Sequence, residues 1–182
     1  MKRQLLLVMA IGIGLLALVA CNPGEGESNG GNTCPTPQEG TLLFTYADQG
    51  YCLLYPSTHV PVDLGGTETV FVVGDIMNHT DPRVTVNVTD AAGVSTEDAA
   101  ARILADFGLP DTNPPTSATL GGREALVLDN MPGQDINRRV VAVHNGRVYD
   151  LTFLPIGPDY GEIGEQTEEF YNLVLNSFTF TD

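Results

Sequence analysis

The sequence has a single lysine and no tryptophan. The lysine is Lys2, so no lysine follows in the rest of the 182 residues. This absence excludes a Schiff-base lysine, a Ser-Lys dyad and a phosphate-binding loop of the G-x-x-x-x-G-K type from the chain beyond the first few residues. No H-E-x-x-H segment occurs, so the local signature of zinc proteases is not found. One G-x-S-x-G segment occurs, at residues 26–30, but it lies in a Gly-rich stretch without the strand–turn–helix pattern of an α/β-hydrolase.

Basic residues are scarce as a class. The sequence has 8 Lys and Arg against 23 Asp and Glu, with a formal net charge of -15. Nucleic acids and anionic lipid surfaces both require neutralisation by Lys or Arg, so we expect no nucleic-acid partner. The acidity fits a solvated surface that keeps the protein soluble, and it leaves open the binding of a cation or a basic partner.

Histidines are few, and their spacing carries no catalytic or metal motif. They are His59, His79 and His144, and a zinc site would need all three to converge. His144 ends a predicted strand, where we expect a solvated side chain. A Ser-His-Asp triad can assemble from distant positions, so a hydrolase with His59 or His79 beside a serine and a carboxylate stays an alternative. The sequence otherwise favours a protein that is not an enzyme, with no cofactor.

Two acidic segments offer oxygen ligands for calcium. Asp129, Asp135 and Asn137 bracket a turn but do not match the D-x-[DN]-x-[DN]-G pattern. A second acidic loop contains Asp159, Glu162 and Glu165. We expect both to be exposed polar turns, with a calcium-dependent binding module as an alternative.

The N-terminal segment has the properties of an export signal. Lys2 and Arg3 precede an apolar run from Leu5 to Val19, which is shorter than the about 20 residues of a membrane-spanning helix. The run closes with the residues Leu-Val-Ala-Cys at 18–21, which resemble the lipobox of bacterial lipoproteins. This resemblance implies cleavage before Cys21 and attachment of lipid to Cys21. It predicts a protein outside the cytoplasm, anchored by lipid to a bacterial membrane. Removal of Lys2 and Arg3 with the signal, and of no acidic residue, would change the net charge from -15 to -17.

The segment after the signal is predicted to be a flexible tether. Residues 21–40 are rich in Gly, Pro, Ser, Asn and Glu and contain no large apolar side chain. Because lipid would occupy Cys21, Cys34 and Cys52 remain as an even pair in an exported protein. We therefore predict a disulfide between them, the alternative being a buried free Cys52 and a solvated Cys34. The predicted organisation is a signal at 1–20, a tether at 21–40 and one domain at 41–182.

Hydrophobic patterning predicts strands first, then a helix, more strands and a second helix. The predicted strands are 42–46, 51–55, 67–73, 84–89, 118–120, 124–128, 136–144 and 147–154, with an extended end at 177–180. The predicted helices are 95–107 and 165–176. Hairpins indicate antiparallel pairing, and helices separated from the strands indicate an α+β fold.

Two of these elements allow side chains to be assigned to the core. In the first helix, which Ser95 can cap, Ala99, Ile103 and Phe107 form an apolar stripe with Ala100 and Leu104 beside it. In the hairpin across Asn145-Gly146, a type I′ turn fixes the register. That register directs Val140, Ala142, Tyr149, Leu151 and Phe153 to the core, and it gives Arg139, Asp150 and Thr152 the opposite, partly polar face.

The domain resembles the PsbP-like family and its structural relatives, the Mog proteins. The resemblance is carried by Tyr55-Pro56, the segment 121–125, the hairpin 140–153 and the closing segment 174–178. It implies an antiparallel sheet flanked by helices in an α/β/α sandwich. It also implies a binding or assembly module without a shared catalytic site. We therefore expect a lipid-anchored extracytoplasmic module that binds a protein partner or a small ligand.

Overall fold

The computed structural model describes residues 33–78, 80–109 and 114–181. Within these residues, ten strands form two sheets in which every paired strand is antiparallel. The strands are β1 (Thr41–Tyr46), β2 (Tyr51–Pro56), β3 (Val60–Asp63), β4 (Glu68–Val72), β5 (Arg83–Asp90), β6 (Thr116–Leu120), β7 (Arg123–Met131), β8 (Asn137–His144), β9 (Arg147–Leu154) and β10 (Thr179–Phe180). The helices are α1 (Thr96–Asp106) and α2 (Gly161–Ser177).

The larger sheet has seven strands in the order β3-β4-β5-β9-β8-β7-β6, and the smaller sheet has the order β1-β2-β10. Helix α1 packs on β7 and β8, whereas α2 packs on β2, β6 and β9. The main core unites side chains of the large sheet, the small sheet and α2, and a second cluster joins α1 to the large sheet. The predicted α+β sandwich is confirmed, with two antiparallel sheets in place of one.

The β8–β9 hairpin has the predicted turn and faces. Asn145 and Gly146 both have positive φ, 45° and 76°, as a type I′ turn requires. All five side chains that the register assigned to the core are fully buried. On the opposite face Arg139 forms an ion pair with Asp150, whose carboxyl is buried. Burial raises the pKa of Asp150, and the Arg139 guanidinium opposes that shift.

The main differences from the predicted elements concern β3, α2 and β7. Strand β3 was not predicted because Pro61 interrupts its sequence pattern, yet β3 lies at the edge of the sheet, where proline is tolerated. Helix α2 begins at Gly161, four residues before the predicted start, after a short 3-10 turn at Pro158–Tyr160. Strand β7 continues to Met131 through an irregularity at which Asn130 has a φ of 55°.

Helix α1 confirms the predicted cap but not the predicted place of Phe107. The Ser95 hydroxyl accepts a hydrogen bond from the Asp98 amide at 3.1 Å. Ala99, Ala100 and Leu104 are buried, whereas Phe107 is 42% exposed. The helix ends at Asp106, so Phe107 leaves the stripe as the C-terminal cap, where the Arg139 guanidinium lies 5.5 Å from its ring.

The structure contains the Cys34–Cys52 disulfide, with Cα atoms 5.8 Å apart. Cys52 is fully buried in β2, the middle strand of the small sheet. The bond therefore fastens the segment before β1 to that sheet. Within the described ranges, no helix combines the length and hydropathy that crossing a membrane would require.

Candidate functional site

A cleft lies between α2 and the two loops that precede and follow the β3–β4 hairpin. Its volume is about 430 Å³. We call it the His59 cleft, and it is lined by Pro56, Thr58, His59, Val73, Asp81, Pro82, Gln166, Glu169, Phe170 and Leu173. The four α2 residues are spaced i, i+3, i+4 and i+7, so they form one stripe of the helix. The cleft is thus assembled from three separate parts of the chain.

The His59 side chain is held in one tautomer. It is 6% exposed, and its Nε2 lies 2.9 Å from the Pro82 carbonyl oxygen. A carbonyl can only accept, so Nε2 carries the proton and Nδ1 accepts from the Thr58 hydroxyl at 3.1 Å. Burial lowers the pKa of His59, although the Pro82 hydrogen bond and the charge of Asp81 oppose that shift. The imidazole is therefore neutral at pH 7.

The floor of the cleft is apolar and rigid. Phe170 is 2% exposed and meets the His59 ring edge-on, with centroids 4.8 Å apart. The Phe170 ring also packs on Phe71 of the main core, with the two ring centroids 6.3 Å apart. Because Phe170 belongs to the main core, the folded chain forms the floor of this cleft without a ligand.

Two carboxylates border the cleft. Glu169 lies exposed on α2, and Asp81 lies half-buried in the β4–β5 loop, where it accepts a hydrogen bond from the Asn78 amide. Among the described residues that line the cleft, none is Lys or Arg. The nearby Arg83 guanidinium donates to the Ile76 carbonyl at 2.9 Å and to the Asn78 carbonyl, so it fixes the loop. The cleft combines apolar walls with a negative rim.

A second cleft, of about 570 Å³, lies along another stripe of α2, and we call it the Arg138 cleft. The Arg138 guanidinium donates to both Glu168 carboxylate oxygens at 2.8 Å and to Asp129 at 2.5 Å. It also lies 4.6 Å from the centre of the Tyr171 ring. Burial and the charges of Asp129 and Glu168 raise the pKa of Tyr171, and the charge of Arg138 opposes that shift. The Asp129 and Glu168 carboxylates of this cleft are thus paired with a cationic side chain of the protein itself.

Solved structures share this architecture. A scan against models of known protein families finds no match, and neither does a search of the curated proteins. The solution structure of cyanobacterial PsbP (CyanoP) from Synechocystis sp. PCC 6803 matches with a TM-score of 0.53 at 14% identity, covering 82% of this chain and 98% of that one. The chain has a PsbP-like fold.

Two further structures match at low identity. A crystal structure from Bacteroides thetaiotaomicron VPI-5482 has a TM-score of 0.53 at 12% identity and covers 80% of this chain. The match covers 50% of that chain, so this protein spans about half its length. The Ran-binding protein Mog1p of Saccharomyces cerevisiae matches with a TM-score of 0.48 at 7% identity, over 78% of this chain and 96% of that one. At these identities the likeness concerns the fold alone.

Two of the predicted calcium ligands have hydrogen-bond partners within the protein. Asp129 binds Arg138, and the buried Asn137 directs its amide nitrogen to the Met131 carbonyl at 3.0 Å. Asn137 therefore presents a donor to the turn that contains Asp135. Within the described ranges, no three or more His, Cys, Asp or Glu side chains are grouped so that they could hold a metal ion. This holds for the side chains of the second acidic loop as well.

His144 occupies a different environment from the one predicted. His144 is buried, 8% exposed, and its ring lies 4.2 Å from that of Phe180, so the prediction of a solvated side chain was wrong. The signal was present in the sequence, since His144 continues the alternation of Val140 and Ala142 toward the core. The N–H of His59, at Nε2, donates to a carbonyl, whereas the histidine of a Ser-His-Asp triad donates its Nδ1–H to a carboxylate. His79 and Cys21 lie outside the described residues.

Sequence reasoning missed the His59 cleft. It considered His59 only for a zinc site or for the hydrolase alternative, and it made no prediction for Asp81, Glu169 or Leu173. The available signal was the stripe of Gln166, Glu169, Phe170 and Leu173, which mixes polar and apolar side chains on one face of a helix. Such a stripe indicates a face that is neither fully in the core nor fully in solvent.

Proposed function

We propose that the protein is a lipid-anchored extracytoplasmic binding module whose ligand site is the His59 cleft. The observation that carries this proposal is the cleft itself, an apolar floor with a few polar groups at its rim. Its volume of about 430 Å³ lies within the range of about 300–1,000 Å³ that is typical of small-molecule sites. The apolar run that ends at Cys21 supports the anchor.

A binding role is favoured over catalysis by the engagement of His59. Both ring nitrogens are hydrogen-bonded, and burial keeps the imidazole neutral by lowering its pKa. A histidine that activates a hydroxyl usually has its N–H held by a carboxylate, which stabilises the imidazolium, and in His59 the Pro82 carbonyl takes that place. In the His59 cleft the imidazole instead forms a wall that fixes the β4–β5 loop against α2.

Ligand retention by the purified protein tests this proposal. Residues 33–182 would be incubated with a small-molecule extract of the producing cells, desalted and analysed by native mass spectrometry. We expect a retained compound with the wild-type chain and its loss with Leu173→Trp, because a larger side chain would fill the cleft. Leu175→Trp, a half-buried α2 position outside the cleft, is the matched control. Equal retention by Leu173→Trp and wild type, or no retained compound at all, would contradict the assigned site.

A further inference from the structure

We propose that the His59 cleft binds a small organic cation with an apolar body, such as an aromatic or alkyl ammonium compound. This inference rests on the proposed function and names its ligand class. It is carried by the charge and the lining of the cleft, and by a comparison with the Arg138 cleft of the same molecule.

The first step concerns charge. Asp81 and Glu169 are the charged side chains among the described residues that line the cleft, and His59 is neutral. The Arg83 guanidinium is not part of the lining, since it donates to the Ile76 and Asn78 carbonyls. The cleft therefore presents two negative charges beside apolar walls. A bound cation would neutralise them, whereas an anion would be repelled.

The second step concerns the body of the ligand. Five of the lining side chains are apolar: Pro56, Val73, Pro82, Phe170 and Leu173. An inorganic cation would leave this surface uncovered and would need several oxygen ligands, and the described residues do not cluster in that way. An ammonium compound with an aromatic or alkyl group satisfies both parts of the lining. The volume suits a small molecule better than an extended peptide.

The third step is the comparison with the Arg138 cleft. There Asp129 and Glu168 hold the Arg138 guanidinium, whose apolar contact is the ring of Tyr171. The molecule thus already contains one arrangement of two carboxylates, an aromatic ring and a cation. The His59 cleft offers two carboxylates and the Phe170 ring, but its lining includes no cationic side chain. We infer that the missing cation comes from the ligand.

Isothermal titration with three probes of similar shape tests the ligand class. The probes are 2-phenylethylammonium, 2-phenylethanol and phenylacetate, which carry a positive charge, no charge and a negative charge. We expect saturable one-to-one binding of the ammonium compound, at least about tenfold weaker binding of the alcohol, and no binding of phenylacetate. Raising the salt concentration should weaken the binding of the ammonium compound and not that of the alcohol, because salt screens exposed charges.

Two charge variants on α2 locate the site. Glu169→Gln removes a carboxylate from the His59 cleft, and Glu165→Gln removes one from the lining of the Arg138 cleft. Glu169→Gln should weaken ammonium binding by about fivefold, as expected for a partly solvated ion pair, and Glu165→Gln should leave it within about twofold. Because both positions are exposed, neither change should affect folding.

Several outcomes would overturn the inference. Equal affinity for the three probes would refute a cationic ligand while leaving a binding cleft, and the absence of binding by all three would refute the assigned class. If Glu169→Gln and Glu165→Gln weakened ammonium binding equally, the binding would depend on the overall negative charge of the protein and not on the His59 cleft. An end-blocked Ala-Phe-Arg-Ala peptide that binds at least tenfold more tightly than the ammonium compound would assign the cleft to a protein partner. Retention of an uncharged metabolite, lost in Leu173→Trp, would keep the proposed function and reject this inference.

Discussion

His59 joins two loops and a helix through a single side chain. Its Nε2 holds the Pro82 carbonyl, its Nδ1 accepts from Thr58, and its ring packs on Phe170. Protonation would convert Nδ1 from an acceptor to a donor and would place a charge in a mostly apolar setting. The folded structure therefore favours the neutral imidazole of His59 over the protonated one.

This role predicts a stability loss on mild acidification. Because the pKa of folded His59 is lowered from 6.5, the unfolded chain takes up the proton first as the pH falls below about 6.5. The free energy of unfolding should therefore decrease with falling pH from about 6.5 down to the folded pKa, and this contribution should be constant above 6.5. Urea unfolding at several pH values would measure it, with His59→Gln as a variant that keeps an amide donor but does not titrate. Parallel pH profiles for wild type and His59→Gln would contradict the prediction.

At the scale of elements, α1 illustrates which features of the fold follow from sequence. Its cap, its length and the burial of Ala99, Ala100 and Leu104 follow from local patterning. Phe107 continues the same stripe in sequence, but the chain leaves the helix at that residue. Helix ends depend on the following connection, so periodicity alone places them poorly.

Three substitutions in this segment should have unequal effects on the free energy of unfolding. Ser95→Ala should cost about 1 kcal/mol because it removes the bond to the Asp98 amide. Leu104→Ala should cost about 2–5 kcal/mol because Leu104 is buried against the large sheet. Phe107→Ala should cost clearly less than Leu104→Ala, since the ring is 42% exposed. Equal costs for Phe107→Ala and Leu104→Ala in urea unfolding would place Phe107 in the core after all.

The disulfide gives a second prediction at this scale. It joins residues 18 apart, and a loop of that length contributes roughly 3 kcal/mol in the chain-entropy model. Cys34→Ala should lower the free energy of unfolding by about that amount, and a reducing agent should lower it similarly in wild type. The same agent should not change the stability of Cys34→Ala. Two free thiols in the denatured, non-reduced wild-type protein would show that the bond does not form.

The arrangement of elements was more predictable than the cleft. Alternating β-branched residues, the Asn145-Gly146 turn and the capped helix identified most strands, the type I′ hairpin and the fold class. The His59 cleft depends on β3, which Pro61 concealed, and on the β4–β5 loop, whose path is set by hydrogen bonds of Asn78 and Arg83. Such loop contacts join residues without a periodic pattern, so no window of sequence reveals them.

At the scale of the whole molecule, the disulfide would bring the domain close to its proposed anchor. Cys21 lies 13 residues before the fastened Cys34 in the sequence (34 − 21 = 13). A flexible chain of that length has an r.m.s. end-to-end distance of roughly 20 Å. The small sheet, which contains Cys52, would then be the part of the domain held nearest the membrane. The strong negative charge would limit adsorption to anionic headgroups, leaving the lipid as the attachment.

The last prediction tests that attachment. Expressed in bacterial cells that lipidate lipoproteins, the wild-type protein should fractionate with membranes and incorporate an alkyne-labelled fatty acid, because two or more acyl chains anchor a protein stably. Cys21→Ser should lose the label, and the protein should be either released or left with its signal uncut. Cys34→Ser, a matched change that leaves the lipobox intact, should keep both the label and the membrane fraction. A Cys21→Ser protein that is cleaved, unlabelled and still bound to membranes would mean that another part of the molecule provides the anchor.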